Sequence, residues 1–494
     1  MITLLRAAYV VGHDGEDHIF YRDGEVVFEH DKITYVGTQY AGAFDRELSF
    51  GESVIIPGLI DLDALAEIDH AILDGFGSDE HDKSFQWSTD YFENRRHEVF
   101  PEEDLAFMRE YALVQLLLNG VTTAMPIAAE MHREWAETYD EMLSLAETAR
   151  KLGIRMYLGP SYRSGVNTVD EAGKRTMSWN EELGRAGLRD AVKFIETLNS
   201  SPEDLIQGVL LPCRIETLSQ ELLAQTADEA KRLDCLVRIH CLQGNAELEF
   251  LDNTYGSRPL ELLDSAGLLQ ARLLVVHGIF VGGYSGGYHR DYAGELEVIA
   301  DAGVSVIHCP LTSIRDAAAL ETFESYMRKG INLAMGSDSF PPDLIRAMDY
   351  GSNIAKLQHR DRSAGQPADY FRAATLGGAQ ALGRTDIGRI AEGCRADLTV
   401  VDLNSLRSGV TDDPIRSLIM NASGANVSNV FVDGRHVVVN GQVPGIDTDA
   451  FKARARDYFD RMKAAYSERD YQQRRTEELF PASFREVPHS GPRT

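Results

Sequence analysis

Three histidines and an aspartate close short apolar runs between residues 235 and 338: Ile239-His240-Cys241, Val276-His277-Gly278, Ile307-His308-Cys309-Pro310 and Met335-Gly336-Ser337-Asp338. Imidazole is a common metal ligand and the side chain whose ordinary pKa suits acid–base work near neutrality, while a carboxylate adds a hard anionic donor. Two imidazoles and one carboxylate with a coordination position left open form a catalytic site for zinc or iron, at which the pKa of water falls toward about 7. A single histidine at the end of an apolar run is more often a hydrogen-bonded structural residue. Four such groups, all at run ends, point to one shared site.

Residues so far apart in sequence meet only if the fold gathers strand ends. Apolar runs at 54–64, 121–125, 154–159, 206–213, 235–241, 272–278, 304–309 and 331–338 alternate with helical patterns. Continuous apolar strands are expected in a parallel sheet covered on both faces, and β/α units in this number predict a closed (β/α)8 TIM-like barrel with its reactive groups at the C-terminal strand ends. A helix is expected over 101–120, where Pro101 precedes Glu102, Glu103 and Asp104 and Gly120 closes the segment. Others are expected at 216–233, 258–265, 292–302, 315–329 and 343–358.

The flanks differ. Residues 1–53 and 388–447 read as short strands with turns and are predicted to pair into a small β-sandwich beside a barrel spanning 54–387. Residues 448–494 read as a charged helical tail that packs on a neighbour or frays, with 450–465 and 477–484 as candidate dimer contacts.

Composition excludes several classes of partner. Lys+Arg number 49 against 77 Asp+Glu, a net charge of −28, which repels phosphate backbones and anionic membranes. No nucleic-acid partner is expected. The 5 cysteines show no zinc-ribbon or disulfide-framework spacing, which fits a reducing cytoplasm, and no apolar run or leader pattern suggests export or a membrane span. The expected partners are a small-molecule substrate and a second copy of the chain, as a homodimer.

The phrases Val54-Ile55-Ile56-Pro57-Gly58-Leu59-Ile60-Asp61, the histidines closing runs five and six, His308-Cys309-Pro310, Gly336-Ser337-Asp338 and Gly388-Arg389-Ile390-Ala391-Glu392-Gly393-Cys394-Arg395-Ala396-Asp397-Leu398 stand in order along nearly the whole chain. In this the sequence resembles the amidohydrolase superfamily, in particular its branch of cytosine and guanine deaminases and s-triazine chlorohydrolases. The resemblance implies one divalent metal, zinc ahead of iron or manganese. It also implies hydrolytic displacement of an amine, alkylamine or chloride from an N-heterocyclic or amide-like small molecule. By the same resemblance His240 and Asp338 bind the metal, Asp338 takes a proton from the water, and His277 sits beside that water and polarises the attacked centre.

The sequence departs from that pattern at the first motif, His-x-His after the Pro-Gly-Leu-Ile-Asp phrase, whose matching positions are Asp63 and Leu65. Gln243 stands where many relatives carry a Glu as general acid, and an amide donates hydrogen bonds without shuttling protons. Thr312 and Ser313 replace a common Ser-Asn pair. Three readings remain open. A metal survives on His240, His277 and Asp338 with Asp63 as a fourth donor. Alternatively the metal is absent, and Asp338, His277, His308 and Asp63 perform acid–base hydrolysis or elimination; or the barrel only binds. A hydrolase using metal-activated water is the expected activity, with Asp338, His277, His308 and Gln243 as its catalytic candidates.

Substrate contacts are expected from loops. Tyr162 and Arg163 follow strand three, Tyr284 and His289 lie in a glycine-rich stretch that reads as a lid after strand six, and Trp87 lies with Tyr91, Phe92 and His97 in a long segment expected to roof the pocket. Cys241 and Cys309 adjoin the site as packing residues, since no activating base pairs with either.

Overall fold

The computed structural model describes residues 1–494 apart from 75–76, 128–132, 134, 283–293, 321–322, 486 and 488–494. The apolar runs form parallel strands: Leu59–Ala64, Val121–Pro126, Arg155–Leu158, Ile206–Gly208, Leu236–Cys241, Arg272–His277, Ser305–His308 and Leu333–Met335. Strands one to four form one ladder and strands five to eight another. Bridges Leu210↔Val237 and Arg214↔His240 join strands four and five. At the other seam the Asp338 N–H donates to Asp63 O at 2.7 Å and the Ser337 N–H donates to Asp61 Oδ1 at 3.0 Å. These seams complete the (β/α)8 barrel, and the second of them runs through the candidate site.

The first run divides in two. Ser53–Pro57 joins the flanking sheet, while Leu59–Ala64 enters the barrel. Pro57 has no N–H for a continuing ladder, and a Cβ on Gly58 would lie 2.1 Å from Thr122 Oγ1, so the chain turns where only glycine fits. The flanks form a single eight-stranded sheet in which Ser53–Pro57 lies between Ile2–His13 and the C-terminal strand Leu398–Asp402. A buried cation ties this sheet to the barrel. Arg155, at the start of strand three, donates to Asp397, Asp204 and Asp433.

Helix Glu102–Leu118 opens with the acidic turn expected for it. In place of one helix over 315–329, a short helix Pro310–Arg315 ends at the left-handed Ala317 (φ 54°) and a second, Phe323–Arg328, follows. Helices Tyr139–Leu152 and Glu181–Ser200 are two more, each marked in the sequence at its start, by a Thr138/Glu141 capping box and by an Asn180 cap.

The C-terminal helix Thr448–Arg469 folds back on its own chain. Tyr458, Met462 and Tyr466 pack with Ile68, Phe100 and Met108, and Tyr458 stacks on Phe100 at 4.0 Å between ring centroids. The expected dimer contact at 450–465 thus spends its apolar stripe within the chain, because that stripe covers the first barrel helix and the loop before it.

Candidate metal centre

Each candidate donor is held by its strand end. The Asp63 carbonyl and the Asp61 carboxylate anchor the turn after strand eight, and Leu65 N–H donates to Ser337 Oγ at 3.3 Å. Thr312 Oγ1 donates to Ser337 O at 3.2 Å, so the altered Thr-Ser pair still braces that turn. Asp338 (φ 58°), His277 (φ 71°) and Leu242 (φ 59°) all adopt left-handed backbone, which L side chains tolerate only where the surroundings enforce it and which clusters at functional sites.

Asp63, His240, His277 and Asp338 bring one donor atom each within 4.8 Å of one another. His240 Nδ1 lies 3.1 Å from Cys213 O, to which it donates, leaving Nε2 facing Asp63 Oδ1 at 3.5 Å. His277 Nε2 lies 3.9 Å from Asp338 Oδ2. Neither His277 nitrogen nor Asp338 Oδ2 has a hydrogen-bond partner among the described residues, although all three atoms are buried. Buried polar atoms without partners are costly and call for an explanation. The gaps of 3.5 and 3.9 Å lie near the edge of about 3.4 Å between ligands each about 2.1 Å from a tetrahedral zinc. Donor chemistry, spacing and the orphaned atoms fit a divalent cation.

Burial sets the local electrostatics. It pushes the Asp338 carboxyl upward, reinforced by the charge of Asp63, and drives His277 well below its ordinary value, reinforced by His240. Burial alone would raise Asp63 too, but His240 and Arg238 outweigh it and hold that carboxyl low. Arg238 Nη1 lies 3.1 Å from Asp63 Oδ1, and Cys309 Sγ–H donates to Oδ2 at 3.7 Å. The Cys241 and Cys309 thiols are pushed up by burial, as expected of packing residues.

Gln243 Oε1 accepts from Arg214 Nη1 at 2.7 Å, which leaves the amide NH2 as its hydrogen-bonding end toward other partners. The turn carrying Gln243 is held from behind by Glu247, which accepts from the Leu242 and Gln243 N–H groups at 2.7 and 3.0 Å.

Other expected site residues fall elsewhere. His308 stands beside Phe323 and Tyr370 with centroids 5.6 and 6.1 Å away, outside the donor cluster, and burial lowers its pKa to about 3. Tyr162 is fully buried with its hydroxyl 2.9 Å from Thr226 Oγ1, in the layer between strand and helix. Arg163 is buried and donates to Arg133 O at 2.9 Å. Trp87 lies under the Arg469 guanidinium at 4.7 Å, so the loop after strand one is itself roofed by the C-terminal helix. Tyr284 and His289 lie outside the described residues. Leu65, at the position of the second missing imidazole, is buried.

Sequence reasoning overlooked Arg238 and Arg214. Arg238 carried a signal: an arginine inside an otherwise apolar strand, two residues before His240 and therefore on the same face. A second acidic group, Glu67, Asp69 and His70, follows strand one. There Asp69 accepts from Phe340 N–H at 2.7 Å and His70 stacks on Phe85, which accounts for it as a loop anchor.

The amidohydrolase family profile matches residues 54–437. A 5-methylthioadenosine/S-adenosylhomocysteine deaminase of Pyrococcus abyssi is 27% identical over 90% of this chain and 96% of its own length. A 5'-deoxyadenosine deaminase of Methanosarcina barkeri is 24% identical over 90% and 94%. Among solved structures, a zinc-bound adenosine deaminase from Xanthomonas campestris has TM-score 0.75 and 24% identity, covering 93% of this chain and 98% of that one. The zinc complex of atrazine chlorohydrolase from Arthrobacter aurescens gives 0.74 and 19%, covering 92% and 99%. These structural likenesses show the shared fold.

Proposed function

The chain belongs to the amidohydrolase family, and from that premise we propose a hydrolase that removes an amine, alkylamine or chloride from an N-heterocyclic or amide-like small molecule with the help of one divalent metal. The observation that carries this reading is the cluster of Asp63, His240, His277 and Asp338. These residues would hold the ion, His240 through Nε2 and Asp338 through a carboxylate oxygen. Zinc suits the mixed nitrogen and oxygen donors, and the two carboxylates also admit iron or manganese. When bound, such an ion supplies the Lewis acidity that makes water nucleophilic near neutral pH.

The chain's own groups do the rest. Asp338, holding the ion through one carboxylate oxygen, is suited to accept a proton from the attacking water at the other and to pass it on to the leaving group. Gln243 orients the substrate by donating from its NH2 group, with its oxygen committed to Arg214. Leu65 and the buried Cys309 keep bulk water from the wall of the site. With such relatives, amino-substituted purines are the first substrates to try and chloro-substituted s-triazines the next. The five free cysteines, all buried, fit a cytoplasmic protein, and a homodimer remains the proposed assembly.

A metal-independent acid–base reading is favoured by one observation, the fixed positive charge of Arg238 beside Asp63. Turnover of amino- and chloro-heterocycles before and after chelation separates the two. Loss of activity on chelation and its return with zinc support the metal reading, whereas chelator-resistant turnover favours the second. Turnover that survives in an Asp338→Ala variant contradicts both.

A further inference from the structure

Arg238 is 2% exposed and projects into the barrel one layer beneath His240, since residues two apart on a strand share a face. Its Nη1 donates to Met125 O at 3.1 Å and Leu62 O at 3.3 Å, which fixes the guanidinium between strands one, two and five. The same atom lies 3.1 Å from Asp63 Oδ1. No step of the proposed reaction uses this cation. A charge so deeply enclosed is tolerated only when paired, and Asp63, fully buried and 3.5 Å from His240 Nε2, is its partner.

We propose that Arg238 is a positioning residue that makes Asp63 serviceable as a metal ligand, supporting its carboxylate from beneath and cancelling its charge. The inference rests on the metal reading of the site and says how a carboxylate works there. Asp63 and Asp338 together would give the donor set a charge of −2, and Arg238 brings its surroundings to −1. The Asp63–Arg238 couple thus presents itself as a neutral donor, electrically like an imidazole, and a bound dication keeps a net positive charge with which to polarise substrate or water. Without Arg238, the Asp63 carboxylate loses the cation that lies 3.1 Å beneath it and is free to turn away from His240, which removes a donor.

The test compares wild type, Arg238→Lys, Arg238→Met, Asp63→Asn and the Asp63→Asn/Arg238→Met double variant. Each full-length protein is stripped by chelator and reloaded with zinc or cobalt(II). The readouts are the dissociation constant from chelator competition and the visible absorption of the cobalt form, neither of which depends on knowing the substrate. Arg238→Met is expected to weaken metal binding at least about tenfold and to change the cobalt spectrum, as outer residues around metal ligands commonly do. Arg238→Lys, which keeps a point charge, is expected to recover part of the affinity. Because Arg238 acts through Asp63, the double variant is expected to bind no more weakly than Asp63→Asn alone.

Wild-type affinity and an unchanged cobalt spectrum in Arg238→Met would overturn the proposal, leaving Arg238 as a core ion pair. If Arg238→Met does not fold, Arg238→Lys decides the matter: binding weaker than wild type, together with a double variant that binds as tightly as Asp63→Asn, upholds action through Asp63, whereas wild-type affinity and an unchanged cobalt spectrum in Arg238→Lys overturn it. A wild-type protein that takes up neither metal would defeat the metal reading itself, an outcome distinct from a loaded wild type indifferent to Arg238.

Discussion

At the scale of single residues, the site combines two carboxylates, two imidazoles and a buried guanidinium where the related pattern relies on additional imidazoles, and its chemistry follows from that exchange. Gln243 donates hydrogen bonds but does not transfer a proton near neutral pH, so on the proposed reading departure of a basic amine has no general acid at this position. Gln243→Glu is expected to raise turnover of amine leaving groups relative to chloride by about tenfold or more, measured as the ratio of kcat/KM values on a matched substrate pair. An unchanged ratio would remove Gln243 from the leaving-group step. His308 packs beside Phe323 and Tyr370, outside the donor cluster. Burial lowers its pKa to about 3 from an ordinary 6.5, so the stability it contributes is present above pH 6.5 and is lost as pH falls toward 3. His308→Leu should therefore gain on wild type by about 2 kcal/mol in unfolding free energy between pH 7 and pH 5, as read by denaturant titration. A difference that stays flat with pH would contradict the assignment. Arg238 was legible as a polar intruder in an apolar strand, but its partner was not, because strands one and five meet only inside the closed barrel.

At the scale of elements, the positions of Asp63 and Asp338 depend on how closely strands one and eight approach. A Cβ on Gly336 would lie 2.6 Å from Asp63 Cβ and 2.8 Å from Cys309 Sγ. Gly336→Ala is thus expected to displace Asp63 and lower both metal content and kcat while the far-ultraviolet spectrum stays native; full metal occupancy would show that the approach is looser than described. The strand ends were readable in the sequence because a parallel barrel needs near-continuous apolar strands and places its polar residues at their C-terminal ends. The break at Pro57-Gly58 was hidden inside one apolar run, since the first half is buried in the flanking sheet and the second in the barrel. The C-terminal helix was read as a neighbour's contact although Tyr458, Met462 and Tyr466 recur at helical spacing, a pattern that identifies a buried stripe without saying what covers it.

At the scale of the whole molecule, the barrel and its flanking sheet are joined through Arg155, whose guanidinium is fully buried among Asp397, Asp204 and Asp433. Arg155→Met leaves buried Asp397 without its counter-ion, and a loss of about 3 to 5 kcal/mol is expected in denaturant unfolding. A loss below 1 kcal/mol would mean that the neighbouring arginines Arg384 and Arg395 suffice for the network. The architecture was legible almost throughout, because phrases at both ends and at the strand termini survive intact. The active centre was legible only in part, because a ligand replaced by a residue of another type has to be recognised through its new partners, which are far away in sequence. The central claim is that this altered centre still holds a metal. Elemental mass spectrometry of the purified full-length protein, beside an Asp338→Ala variant, tests it most directly. About one zinc, iron or manganese per chain, lost in the variant, is the predicted result; a well-folded protein without stoichiometric metal after growth with added zinc would contradict it.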